Sequence, residues 1–200
     1  MEKQNIYQDI SARTGGEIYL GVVGPVRSGK STFIKRFMEL LVLPEIKDEN
    51  ERKRTMDELP QSGTGKMVMT TEPKFIPKEA AELPMEDMKI KIRLIDCVGF
   101  MIPGAGGNLE NGQERLVKTP WFDYEVPFTK AAEFGTRKVI RDHSTIGILV
   151  TADGSFGEIP RDSYVEAEKK TVAELKSDRK STRLNSSHHR IGDGGVWVKK

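Results

Sequence analysis

Gly24-Pro-Val-Arg-Ser-Gly-Lys-Ser31 constrains this chain more than any other stretch. It reads G-x-x-x-x-G-K-S, a spacing that lets a loop wrap a triphosphate with its own backbone N–H groups. Gly24 and Gly29 remove the Cβ atoms that would block that approach. Lys30 offers a point charge to the β- and γ-phosphates, and the Ser31 hydroxyl is a Mg²⁺ ligand. Pro25, Val26, Arg27 and Ser28, with Thr32 in the first helical turn, complete the candidate phosphate cradle. A helix starting here adds free N–H groups and the positive end of its dipole. A Gly-rich turn with a surface lysine is the plain alternative, and the flanks oppose it. Ile18-Tyr-Leu-Gly-Val-Val23 is an apolar run suited to a buried strand, and 31–43 spaces Phe33, Ile34, Phe37, Met38, Leu40 and Leu41 as a helix that Pro44 closes.

The second anchor is Lys89-Ile-Lys-Ile-Arg-Leu-Ile-Asp96. It alternates, then turns wholly apolar, so it enters the core and leaves Asp96 at a strand's carboxyl end, where parallel α/β sheets bind ligands. An aspartate there holds Mg²⁺ through water. Asp96-Cys-Val-Gly99 also has the D-x-x-G form, in which Gly99 offers its N–H to the γ-phosphate. The alternative is an aspartate that simply caps a turn. Between the anchors, Thr70 and Thr71 stand where a nucleotide switch places a threonine on the metal and the γ-phosphate. Strand residues without function would look the same.

The remaining chain reads as follows. Residues 1–16 form a polar appendage in which Ile6, Tyr7 and Ile10 suit a short amphipathic helix. Residues 45–60 mix both charge signs, which favours a solvated helix over a nucleic-acid face. Residues 61–66 carry two glycines and read as a mobile loop, and 78–88 as an acidic connector. Four glycines at 104, 106, 107 and 112 follow the D-x-x-G element and suit a segment that moves. Residues 119–128 are aromatic and proline-punctuated, fitting a partner surface or an irregular packed segment. A helix is expected over 129–140, a strand over 145–151, and a helix from a Ser163-x-x-Glu166 capping box toward Lys176. His143 has no second ligand at metal spacing. Asp153 reads as a turn residue, because no lysine precedes it at the spacing of a guanine-reading motif. Gln113 and Arg27 are catalytic candidates by residue type alone.

Composition narrows the class. Hydrophobic residues make up 36% and charged residues 31% of 200 residues, a globular chain with material for one core. No run approaches the ~18 apolar residues of a membrane span. Cys97 is the single cysteine, which excludes an internal disulfide and fits a reducing cytoplasm. Net charge is +2, with +4 in residues 178–200 and −2 in the rest, so the basic balance points to no nucleic acid.

GVVGPVRSGKSTFIKRFMELLVLP, MTTEPKFIP, IRLIDCVGF and GEIPRDSYVEAEKKTVAELK together resemble the stage IV sporulation protein A family, morphogenetic ATPases at the base of the endospore coat. The resemblance spans about residues 1–176. It implies a three-layer α/β P-loop domain related to translation-factor GTPases (the TRAFAC class) that hydrolyses ATP with Mg²⁺. Its motif positions fall here on Lys30, Ser31, Thr70, Thr71 and Asp96. For the family it further implies polymerisation on the forespore outer membrane from the mother-cell cytoplasm. A small amphipathic membrane peptide and spore coat proteins are the implied partners. The family continues through a middle and a C-terminal domain, so this domain, 1–177, is expected to stop before its last sheet strands. Residues 178–200 resemble a translated library adapter and are left out of fold and function, with His188, His189 and Trp197. The motif grammar alone also admits a GTP-driven switch, since no base-reading strand is identified. The expected sheet has strands near 18–23, 73–77, 90–95 and 145–151, with 73–77 an antiparallel edge.

Overall fold

A computed structural model of the chain describes residues 14–60, 71–85, 88–110, 112–155, 159–178, 189–191 and 194–198. The amphipathic stretch at 6–10, the loop at 61–66 and Thr70 lie outside the described residues. Strand β1 (Glu17–Val23) is the middle of the sheet. It pairs in parallel with β3 (Met88–Asp96) on one side and β8 (Ile146–Val150) on the other. Leu20 lies opposite Leu94 and Ile146, so the three apolar runs face one another in register.

Both faces of this parallel centre are covered, as its continuous apolar runs require. On one face, Leu20, Val22, Leu94 and Ile148 pack against Ile34, Met38 and Val42, which follow the phosphate loop. On the other, Val23, Ile95 and Leu149 pack against Val139, Ile140 and Leu175. The three-layer α/β architecture is therefore present.

The helix after the loop departs from expectation. Helix α1 spans Lys30–Phe37, widens into a π turn at Met38–Val42 and tightens into a 3₁₀ turn at Leu43–Glu45. The extra residue per turn carries Met38 and Val42 inward and leaves Leu40 (68% exposed) and Leu41 (55%) outside, off the apolar stripe expected of them. Pro44 sits in the first turn of the 3₁₀ segment, where its missing N–H costs nothing. The mixed-charge stretch forms helix α2 (Glu49–Asp57), with Lys53 and Glu49 paired at 3.2 Å. Its start is fixed by the Asp48 carboxylate, which accepts from the Glu51 N–H at 2.7 Å. Asp48→Ala should therefore cost about 1 kcal/mol, read as a lower urea midpoint at unchanged slope.

Strand β2 (Lys74–Met85) is the antiparallel edge, but much longer than the 73–77 expected. It takes in most of what read as a connector. Its pairing steps from Ile76–Leu94 to Ala81–Ile92, five residues of β2 against two of β3, so extra residues bulge at the edge. After the two-residue strands β4 (Leu109–Glu110) and β5 (Gln113–Glu114), the aromatic stretch folds as a hairpin, β6 (Leu116–Thr119) with β7 (Phe122–Pro127). It leads into α3 (Phe128–Lys138), which ends in a π turn at Val139–His143.

Helix α4 (Asp162–Ser177) begins without a side-chain cap. Arg161 is already in helical conformation, so Ser163 falls inside the first turn and its N–H goes to the Pro160 carbonyl at 3.0 Å. Glu166 pairs instead with Lys169 at 2.8 Å, and the expected capping box does not form. At the sheet's far edge, β10 (Gly194–Val198) pairs antiparallel with β8, and β9 (His189–Ile191) follows it. A buried apolar strand with open N–H and C=O groups is a template for any β-prone segment, and Gly-Gly-Val-Trp-Val is one. The six-stranded order is β2-β3-β1-β8-β10-β9.

Candidate functional site

The phosphate loop runs from the carboxyl end of β1 into α1 and docks on the D-x-x-G segment after β3. The Val26 N–H donates to the Phe100 carbonyl at 2.8 Å, beside a Pro25–Phe100 bridge. Two glycines are required by contact. A Cβ on Gly24, at φ 146°, would stand 2.2 Å from the Val150 carbonyl oxygen. A Cβ on Gly99, at φ 94°, would stand 2.0 Å from the Gly24 carbonyl oxygen and 2.8 Å from Lys30 Nζ. The D-x-x-G glycine therefore lies directly on the loop. Gly29, at φ 90°, turns the chain into α1.

Lys30 is 5% exposed, and its ammonium donates to the carbonyls of Pro25 at 2.5 Å and Gly24 at 3.4 Å. The charge is thus folded into its own loop. Burial pushes its pKa down, against the pull of the Asp96 carboxylate. One residue on, the Ser31 hydroxyl donates to Asp96 Oδ2 at 2.8 Å, while Asp96 Oδ1 is buried and, among the described residues, without a hydrogen-bond partner. Burial raises the Asp96 pKa, opposed by the Ser31 hydrogen bond and the Lys30 charge. An orphaned carboxylate oxygen beside a serine hydroxyl fits Mg²⁺, a hard cation that keeps water and phosphate oxygens as its other ligands. Among the described residues, no group of three His, Cys, Asp or Glu is placed to hold a metal, so a cage built wholly of protein ligands is not what this site offers.

Cys97 adjoins the site. Its buried thiol is pushed up to about 11 by desolvation, and Sγ lies 3.6 Å from the Val22 carbonyl, so it remains protonated.

The other expected residues scatter. Thr71 is buried, but its carbonyl lies against Gly135 of α3, where an added Cβ would meet it at 2.7 Å. The structure thus places Thr71 beside α3 and brings Ser31 and Asp96 together. Thr32 is exposed on α1, and Gln113 is exposed in β5. His143 stacks edge-on to Phe75 at 5.6 Å. Asp153 accepts from the Ser155 N–H at 2.8 Å and hydroxyl at 2.6 Å, the turn role expected, and these bonds lower its pKa.

Sequence reasoning missed Thr136. Its buried Oγ1 accepts the Gly99 N–H at 3.2 Å and its hydroxyl donates to the Ala132 carbonyl at 2.8 Å. The group expected to sense a γ-phosphate is therefore engaged by α3. Nothing local marks Thr136, a threonine within a helix. Only the packing of α3 under the loop reveals it.

A glycine-hinged phosphate loop, a buried loop lysine and a Ser–Asp pair at the carboxyl end of parallel strands define a nucleotide-binding domain of the P-loop type. The family model for Stage IV sporulation protein A, ATPase domain, matches residues 1–190, and the chain belongs to that family. Curated relatives named Stage IV sporulation protein A are 55% identical in Bacillus anthracis and 56% identical in Bacillus subtilis (strain 168) and Clostridioides difficile (strain 630). Each match extends over 177 residues, 88% of this chain and 36% of the relative. The chain thus spans about a third of the length of these relatives. No solved structure matches the chain.

Proposed function

We propose that this chain is the nucleotide-hydrolysing domain of a sporulation ATPase, cleaving the β–γ phosphoanhydride bond of ATP with Mg²⁺. The observation that carries the reading is the 2.8 Å Ser31–Asp96 hydrogen bond beside the buried Lys30 ammonium. Lys30 exchanges the Pro25 and Gly24 carbonyls for β- and γ-phosphate oxygens. Loop N–H groups cradle the phosphates. Ser31 and Asp96 would hold the cation, which when bound would supply neutralising charge to the phosphate oxygens. The Gly99 N–H leaves Thr136 for the γ-phosphate, and Thr71, with Thr70, orients the attacking water. The sheet order around β1, with an antiparallel β2 edge, supports kinship with the translation-factor (TRAFAC) class.

For the intact protein, hydrolysis would drive self-association into the basement layer of the spore coat. The place would be the mother-cell face of the forespore outer membrane, with an amphipathic membrane peptide and coat proteins as partners. Family membership supports this reading, and most of the relatives' length lies beyond the matched region.

The test is competition of ATP and GTP against a fluorescent ADP on this chain with Mg²⁺. ATP preference of about tenfold or more supports an ATPase. A preference for GTP would overturn it in favour of a GTP-driven switch.

A further inference from the structure

We propose that Arg27 is a catalytic residue of this domain: its guanidinium, carried by the phosphate loop itself, binds the charge that builds on the transferring phosphoryl group. The inference rests on the nucleotide-hydrolase reading above and adds a group to it.

The backbone is the first observation. Among the described residues, Arg27 is the one non-glycine at positive φ, 61°. It occupies the third position of a turn closed by the Ser28 N–H on the Pro25 carbonyl at 3.3 Å. Glycine is the ordinary occupant there when φ is positive, because it alone takes that conformation without a Cβ penalty. A long cationic side chain at such a position retains strain that a loop built only to bend would discard.

The side chain is the second. Arg27 Nε is buried without a hydrogen-bond partner, and among the described residues no carboxylate pairs with the guanidinium. Lys30 rests on two carbonyls, whereas Arg27 Nε has no acceptor among the described residues. Next to it, in the first turn of α4, the Tyr164 hydroxyl is fully buried and, among the described residues, equally unpartnered, and the Arg27 charge is close enough to oppose the upward push of burial on that phenol. Two orphaned polar groups thus flank a loop whose purpose is to meet a polyanion.

The chemistry completes the argument. In phosphoryl transfer the charge spreads over three equatorial oxygens, more than one lysine and one cation address. A planar guanidinium reaches two oxygens at once and is always charged. Placed on the loop, it needs no partner protein to deliver it.

The test uses Arg27→Gly, which relieves the backbone instead of damaging it, alongside Arg27→Lys. Two affinities are measured: Mg·ADP alone, and Mg·ADP with aluminium fluoride, the planar mimic of the transferring group. The expected result for Arg27→Gly is ADP affinity within about threefold of wild type and a fluoride complex weakened by about 10²-fold or more. Turnover should fall about 10³-fold at nearly unchanged KM, and added guanidinium ions should restore part of it. Arg27→Lys should lie between. Fluoride capture at the wild-type level in Arg27→Gly would overturn the role while leaving the nucleotide site intact. Equal loss of ADP and fluoride complexes would overturn it in favour of a purely structural loop residue. A wild-type chain that binds neither complex overturns both this role and the proposed function.

Discussion

Lys30→Met is expected to keep its fold, at an unchanged or higher melting temperature, while nucleotide affinity and turnover fall about 10²-fold or more. The two effects separate because Lys30 serves the ligand at the expense of the fold. Its ammonium is buried on two carbonyls, and burial lowers its pKa. A lysine with a depressed folded pKa favours the folded state above its ordinary value, and that contribution is lost as pH falls through the folded pKa. At neutral pH the charged side chain is therefore a burden, which phosphate oxygens relieve on binding. Methionine fills the same channel with an unbranched apolar stem. The check is a thermal melt with and without Mg·ATP. Wild type should shift by an amount worth about 2.7 kcal/mol at a hundredfold excess over Kd. Lys30→Met should not shift. Its stability should also lack the rise toward alkaline pH that Lys30 gives the wild type. A methionine variant that still shifts with ATP would remove Lys30 from the phosphate site. A sharply lower melting temperature without ligand would instead make its two carbonyl contacts the main prop of the loop.

The phosphate loop, its flanking strand and helix, and the strand ending at Asp96 were legible because each rests on local chemistry. Glycines stand where backbones touch, apolar runs stand where strands are buried on both faces, and an acid ends a parallel strand. The Ser31–Asp96 hydrogen bond needs one further fact, that β1 and β3 are neighbours in the sheet and their carboxyl ends meet. What stayed hidden depends on long-range partners. β2 extends past Pro77 because β3 offers it an antiparallel edge, and the bulge between Ile76 and Ala81 absorbs residues whose local pattern reads as a connector. The β6–β7 hairpin was obscured by prolines at 120 and 127, one in the turn and one at the end of a strand, where neither interrupts the pairing. The π turn at Met38–Val42 answers to packing against the sheet and not to propensity. Thr136 is the clearest case. Its role exists only because α3 passes beneath Gly99, so no reading of neighbours in sequence can find it.

Asp96→Asn should leave the fold intact and remove the magnesium dependence of nucleotide binding. Asparagine has nearly the same shape, and its carbonyl can still accept from the Ser31 hydroxyl as Asp96 Oδ2 does at 2.8 Å. What it lacks is the charge on the second oxygen, which is buried and, among the described residues, without a hydrogen-bond partner. A neutral amide cannot offset a divalent cation, so metal affinity should fall by about 10–100-fold, the range for residues that act through the cation's outer shell. Removing the buried carboxylate also removes a desolvation cost, so the metal-free variant should melt at or above the wild-type temperature. The experiment is a titration of fluorescent ADP with Mg²⁺ and again with EDTA. In EDTA the two proteins should bind alike, because Lys30 and the loop N–H groups are untouched. With Mg²⁺ the wild type should tighten and the variant should require 10–100-fold more metal to do so. If the two proteins showed the same Mg²⁺ midpoint, the cation would be held without Asp96, and the Ser31–Asp96 bond would be a strut between the loop and β3. If the variant bound more weakly in EDTA as well, Asp96 would act by holding Ser31 and the loop in place. The assignment therefore depends on a difference confined to the metal-bound state.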